Sequence, residues 1–310
     1  MTLAFHSVLR LLKMYRLEKP LVDSLPWLTR NLQDDFISSE DSKKCGKPLR
    51  VSVVIEGVTL HGGTRSKVRI FRDDGEVRFR RAGQEIPARL NAVTGTDRCT
   101  VLGRGPARVA VVEHLLASLY TLNLWRGLVI EVDNDELPIL DGSAQPWLEA
   151  LAPFGKGQKP SALQPKKGFN YRQGSSYMML EPGEHILCTE IEFPHPAIGH
   201  QAWSGGPDSF ASLLAARTFG FLSESEELKK AGLALGASLE NAIVFDDMGP
   251  LRPLRFPDEL ARHKALDALG DMFLLGYPLE GKITVIRGSH KLHVDFLKEL
   301  FSEKPLEMKL

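Results

Sequence analysis

Apolar and polar residues alternate with a period of two through LRVSVVIEGVTLHGG, SKVRIFR and EVRFRR, between Leu49 and Arg81, with glycine and aspartate turns separating the runs. That period predicts half-buried strands and a small sheet. From Arg108 to Leu122 the spacing turns helical over RVAVVEHLLASLYTL, a run of good helix formers, and GLVIEVDN after it reads as a strand. A similar scheme follows: YMMLEP and HILCTEIEF as strands, helical stretches over 224–231 and 258–275, KITVIRG as a strand, and a closing helix over 294–301. The strands come in groups and do not alternate regularly with helices. That favours an α+β layering of sheets and helices over a doubly wound parallel sheet. The two halves share no close sequence repeat.

Two polar breaks divide the chain. Residues 34–48, DDFISSEDSKKCGKP, have no apolar period, and residues 153–169, PFGKGQKPSALQPKKGF, are rich in Pro, Gly and Lys. The expected organisation is an N-terminal extension over 1–48, a first α+β domain over 49–152, a linker over 153–169 and a second α+β domain over 170–310. Within residues 1–20, Leu3, Val8, Leu11, Leu12 and Tyr15 recur at helical spacing among Arg10, Lys13, Arg16 and Lys19. Three readings stay open for that segment: a helix at a membrane surface, an organelle-targeting segment, or a helix docked on its own domain.

Lys+Arg and Asp+Glu both total 39, so the formal net charge is zero, which argues against a broad nucleic-acid footprint and for a small-molecule substrate. The three cysteines, Cys45, Cys99 and Cys188, have no CxxC spacing and suggest neither a disulfide framework nor a thiolate zinc site. A reducing, cytoplasmic setting is the simplest expectation. No run of about 18 apolar residues offers a transmembrane helix.

The chemistry concentrates in a few places. In ELARHKALDALGD, His263, Asp267 and Asp271 fall at i, i+4 and i+8 on one helix face. An imidazole and a carboxylate one turn apart make a two-ligand clamp for zinc, although the same spacing also occurs in surface ion pairs. In VVEHLL, Glu113 and His114 sit inside an apolar helix, where they need a metal or a partner unless that edge is exposed. A histidine ligand beside a glutamate base is the arrangement that metal-assisted amide hydrolysis needs. His290, in GSH after a predicted strand, can protonate a leaving amine from a flexible loop or simply be solvated. Thr218, in ARTFGF, offers an oxyanion donor or a purely structural threonine. Asp141, in LPILDGSAQP, reads first as a turn and capping residue.

Six ordered motifs join these pieces: EGVTLHGG (56–63), VEHLLASL (112–119), ELPILDGSAQP (136–146), ARTFGF (216–221), GLALGASLENAIVFDD (232–247) and RHKALDALGD (262–271). From about Val53 to Leu297 the chain resembles the UDP-3-O-acyl-N-acetylglucosamine deacetylases of lipid A biosynthesis. The resemblance implies two similar α+β domains, each layering a sheet and helices, with the active site at their interface. It implies one Zn2+ held by His114, His263 and Asp267, with Glu113 as general base and Thr218 supporting the oxyanion. It implies His290 as acid partner, kept cationic by Asp271, and Lys264 and Phe219 as substrate contacts. The partner it implies is a UDP-linked acylated glucosamine, with no nucleic acid and with peripheral membrane contact through the N-terminal helix as an open addition.

The chain departs from the family pattern in places. LHGG stands for LHSG around His61, SHKLH stands for GHALN after Gly288, and Lys166 or Lys167 are only neighbours of the diphosphate-binding lysine position. Two alternatives therefore accompany the leading reading: a zinc deacylase of another nucleotide sugar, and a non-catalytic zinc-binding relative.

Overall fold

A computed structural model describes residues 51–303 and 306–309. The predicted N-terminal helix and the 34–48 linker lie outside the described residues. The first alternating runs form β1 (Ser52–Val58), β2 (Arg65–Glu76), β3 (Arg78–Arg81) and β4 (Gln84–Pro87). In β2 the alternation is literal: Val68 and Ile70 are fully buried, while Lys67 and Arg69 face out to pair with Glu56 and Glu131. Three short strands follow, β5 (Val93–Gly95), β6 (Val101–Arg104) and β7 (Ala107–Ala110), then α1 (Glu113–Thr121), β8 (Arg126–Val132) and α2 (Gln145–Leu151).

The predicted helix thus starts five residues late. Residues 107–110 keep a strand alternation, with Ala107 and Val109 inward and Arg108 outward, and pair with β6. Val111 then turns the chain at φ +59, a left-handed conformation uncommon for a β-branched residue, and α1 begins two residues later.

The second half contains β9 (Ala162–Pro165), β10 (Phe169–Gln173), β11 (Ser176–Glu181), β12 (Ile186–Phe193) and β13 (Gly199–Gly205). Next come α3 (Phe210–Leu213), β14 (Phe219–Phe221), α4 (Ser225–Lys230), β15 (Ile243–Asp246) and β16 (Gly249–Pro250). The half closes with α5 (Glu259–Met272), β17 (Lys282–Ile286), α6 (His290–Glu303) and β18 (Leu306–Lys309). The predicted 153–169 linker is not wholly irregular, because β9 within it pairs with β18.

One topology occurs twice. The first sheet runs β1-β2-β8-β3-β4 and the second β10-β11-β17-β12-β13. In each, the pairings across the sheet are antiparallel, antiparallel, parallel and antiparallel. This is the repeated α+β layering that strand grouping predicts, carried by topology between halves that share no close sequence repeat. Helix α5 packs on β12 and β13, and α6 on β10 and β11, covering the second sheet. Residues Ser52–Leu151 and the described residues from Gly155 onward belong to one compact unit.

The helix of the first half meets the central helix of the second. Residues 113–120 of α1 are all buried, as are twelve of the fourteen residues of α5. Gly270 allows the approach: a Cβ there would lie 2.2 Å from the Glu113 carbonyl oxygen. The buried charges of α5 therefore need partners. Glu259 finds one in Arg217, at 2.9 Å, and also accepts the Arg217 and Arg255 backbone N–H groups.

Candidate metal centre

Helix α5 turns its face of His263, Asp267 and Asp271 toward α1, and all three are at most 2% exposed. A surface ion pair is therefore excluded for this segment. His114, on the first turn of α1, is equally buried, so that helix edge is not solvated. His263 Nε2 lies 3.4 Å and His114 Nε2 4.0 Å from Asp267 Oδ1, and the two imidazoles stand edge to face with centroids 5.2 Å apart. The three ligand atoms lie within 4.8 Å of one another.

The donor set fits a metal. Tetrahedral ligands about 2.0–2.2 Å from zinc stand roughly 3.3–3.6 Å apart; the His263–Asp267 pair already has that spacing at 3.4 Å, and His114 stands 4.0 Å from the same carboxylate oxygen. His263 Nδ1 donates to the Ala216 carbonyl at 3.1 Å, which leaves its Nε2 lone pair facing the cluster. Burial, reinforced by the neighbouring His263, lowers the His114 pKa to about 3, and burial also lowers that of His263, so both rings are neutral as ligands must be. Burial pushes the Asp267 carboxyl up, but His263, Lys264, His290 and His114 together hold it well below the usual carboxylate range. Lys264 Nζ takes Oδ2 of Asp267 at 2.9 Å and leaves Oδ1 toward the imidazoles.

A second set of groups adjoins the first. Glu113 accepts the Thr100 backbone N–H on Oε2 at 3.0 Å, and its Oε1 lies 3.8 Å from His290 Nε2. Burial raises the Glu113 pKa to about 7; His290 opposes this while Asp267 and Asp271 add to it. His290 is bonded through Nδ1 to Asp271 Oδ2 at 2.8 Å. Burial alone would lower the imidazole pKa, yet the carboxylates of Asp271 and then Glu113 outweigh it and raise it to about 9.

His290 is not on a flexible loop. It opens α6 and is only 6% exposed. Ser289, the residue in the place of the family's glycine, caps that helix: its hydroxyl accepts the Leu292 N–H at 3.2 Å and its carbonyl the His293 N–H at 2.9 Å. His293, one turn on, brings Nδ1 to 2.9 Å from the same Asp271 oxygen.

Thr218 is half-buried just before β14, held by its N–H to the Gly142 carbonyl at 2.7 Å and by its carbonyl to the Ile243 N–H at 2.8 Å. The next residue, Phe219, sets its ring 6.3 Å from that of His263 and 5.5 Å from Lys264 Nζ. Asp141 serves a turn: it accepts the Ser143 N–H and hydroxyl and pairs with Arg255 at 2.9 Å. Gly142 beside it, at φ +84, stands where a Cβ would be 2.1 Å from the Asn241 carbonyl oxygen. Neither ring nitrogen of His61 has a hydrogen-bond partner, and Lys166 lies on the surface 3.9 Å from Glu307. Sequence reasoning passed over Thr100, the Ala216 carbonyl and Gly270. Only Gly270, a glycine inside a helical pattern, carried a signal.

Comparisons with known proteins point to one family. The family model for UDP-3-O-acyl N-acetylglycosamine deacetylase matches residues 47–302. The Wolinella succinogenes protein named UDP-3-O-acyl-N-acetylglucosamine deacetylase is 38% identical over 271 residues, covering 83% of this chain and 91% of its own. Proteins of the same name from Myxococcus xanthus and Brucella melitensis are 38% and 35% identical, covering 80% and 83% of this chain and 84% and 96% of their own.

Proposed function

The chain belongs to the UDP-3-O-acyl-N-acetylglucosamine deacetylase family, and from that premise we propose that its buried His/Asp cluster holds one zinc and drives hydrolysis of the substrate acetamide. The enzyme removes the acetyl group of UDP-3-O-acyl-N-acetylglucosamine as acetate, in lipid A biosynthesis. The observation that carries the reading is the juxtaposition, in one buried site, of a three-ligand set with a carboxyl and an imidazole poised as base and acid.

In this reading His114, His263 and Asp267 hold the metal. Zinc bound there supplies a Lewis acid that acidifies water and polarises a carbonyl oxygen. Glu113 accepts the proton of the attacking water, its carboxylate fixed by the Thr100 N–H. Thr218, tied at both backbone ends, donates its hydroxyl to the developing oxyanion. His290 enters as a cation stabilised by Asp271 and protonates the glucosamine nitrogen as the C–N bond breaks. Phe219 walls the sugar, and Lys264 divides its charge between Asp267 and the substrate.

The domain division of 49–152 and 170–310, joined by 153–169, belongs to the same proposal, supported by the repeated sheet topology. So do a cytoplasmic setting and peripheral membrane contact through residues 1–20, supported by the basic and apolar residues of that segment and by an acylated substrate. Among the described residues no helix is long and apolar enough to cross a membrane. Metal analysis tests the assignment: wild type and Glu113→Ala should each hold one equivalent of zinc, and Asp267→Ala should hold far less. Equal zinc in Asp267→Ala would move the site elsewhere.

A further inference from the structure

Thr100 lies just before β6 with no exposed surface. It touches both proton-transfer groups at once. Its N–H donates to Glu113 Oε2 at 3.0 Å, its hydroxyl donates to Asp271 Oδ1 at 2.5 Å, and the same oxygen lies 3.3 Å from His290 Nδ1. We propose that Thr100 is a positioning residue for the deacetylation: its hydroxyl locks the Asp271 carboxylate so that Oδ2 faces His290, while its peptide N–H fixes Glu113. The inference rests on the roles proposed above for Glu113 and His290.

Few donors reach Asp271. Asp271 is fully buried, so water cannot replace a missing partner. Its Oδ2 receives the Nδ1–H groups of His290 at 2.8 Å and His293 at 2.9 Å. Among the described residues the Thr100 hydroxyl is the donor to Oδ1. With the hydroxyl in place the two oxygens are inequivalent, and rotation that would bring Oδ1 toward the histidines breaks a charge-assisted bond. With its O–H directed at Asp271, the hydroxyl also turns a lone pair to His290 Nδ1–H as a second acceptor. The peptide N–H survives any side-chain change, so substitution at Thr100 separates the acid side from the base side.

The test compares Thr100→Val, an isostere without the hydroxyl, with Thr100→Ser, which restores it. Thr100→Val should lower kcat roughly tenfold, the worth of one hydrogen bond of about 1.4 kcal/mol, with KM and zinc content unchanged. Thr100→Ser should recover most of that loss. In an Asp271→Ala background Thr100→Val should cost nothing further, because the two act as one unit. If Thr100→Val does not fold, Thr100→Ala removes the same hydroxyl and serves in its place. A readout independent of turnover is the low-field imidazole N–H proton resonance of His290, which should move upfield in Thr100→Val and return in Thr100→Ser. Wild-type kcat and resonance in Thr100→Val, or a full loss repeated in the Asp271→Ala background, would overturn the proposal. Absence of turnover in zinc-loaded wild type would count against the proposed function, and the resonance would still decide the role of Thr100.

Discussion

His290 and Asp271 form a buried ion pair, Nδ1 to Oδ2 at 2.8 Å, with neither residue more than 6% exposed. The pair spans α6 and α5, and its other ring nitrogen points to Glu113 Oε1 at 3.8 Å. The carboxylate thus stabilises a cation directly beside the base. That is the order of groups in which an amide nitrogen can be protonated as water is deprotonated.

Asp271→Asn tests that order. An amide keeps the shape but removes the charge that holds the imidazole cationic, so kcat should fall on the order of 10²-fold, the lower end of what general acid catalysis contributes. KM should change little, because the substrate is not touched. Steady-state kinetics on the metal-loaded variant makes the comparison.

The pH profile follows from the same pair. Glu113 acts deprotonated and burial raises its pKa to about 7 in the metal-free site, so kcat/KM of the metal-loaded enzyme should rise along an acidic limb below that value. His290 acts protonated and its pKa is raised to about 9, so kcat/KM should fall above it. The result is a bell whose limbs belong to the coupled pair. A cation held by His114, His263 and Asp267 moves both limbs to lower pH. Glu113→Ala should abolish the acidic limb together with most of the rate.

Gly270 is a packing position. A methyl group there meets the Glu113 carbonyl oxygen at 2.2 Å, so Gly270→Ala must spread α1 from α5. Overpacking of this kind costs about 1–3 kcal/mol, and denaturant unfolding should show it. Activity should fall further than stability, since Glu113 itself is displaced.

His185 offers a prediction away from the site. Burial lowers its pKa to about 4, against about 6.5 in the unfolded chain. Between those values the unfolded state takes up a proton that the folded state refuses. Stability should therefore fall as pH drops from about 6.5 to about 4, with the loss complete below that window. His185→Phe keeps ring contacts of the kind His185 makes with Tyr120 and Phe210, and should flatten the slope by up to about 1.4 kcal/mol per pH unit.

Much of this was legible in the sequence, because periodicity reports burial. The two-residue period of SKVRIFR marked Val68 and Ile70 as core, and the i, i+4, i+8 spacing placed His263, Asp267 and Asp271 on one face. What stayed hidden depends on contacts between segments far apart in the chain. Thr100 reaches Asp271 across 171 residues, and nothing in RCTVLG announces it. The strand at Ala107–Ala110 was masked because RVAVV fits both periods, and only pairing with β6 decides between them. Ser289 showed in the sequence only as a departure from the family's glycine, yet it is a helix cap, because capping depends on where the helix begins.

Metal-assisted deacetylation with Glu113 as base is what joins these groups into one site. Its most direct test is turnover of UDP-3-O-acyl-N-acetylglucosamine by metal-stripped protein before and after one equivalent of zinc, beside Glu113→Ala treated the same way. Acetate should be released only after zinc is added to the wild type, and Glu113→Ala should lose turnover despite full zinc. Turnover by the stripped protein, or undiminished turnover in Glu113→Ala, would contradict it.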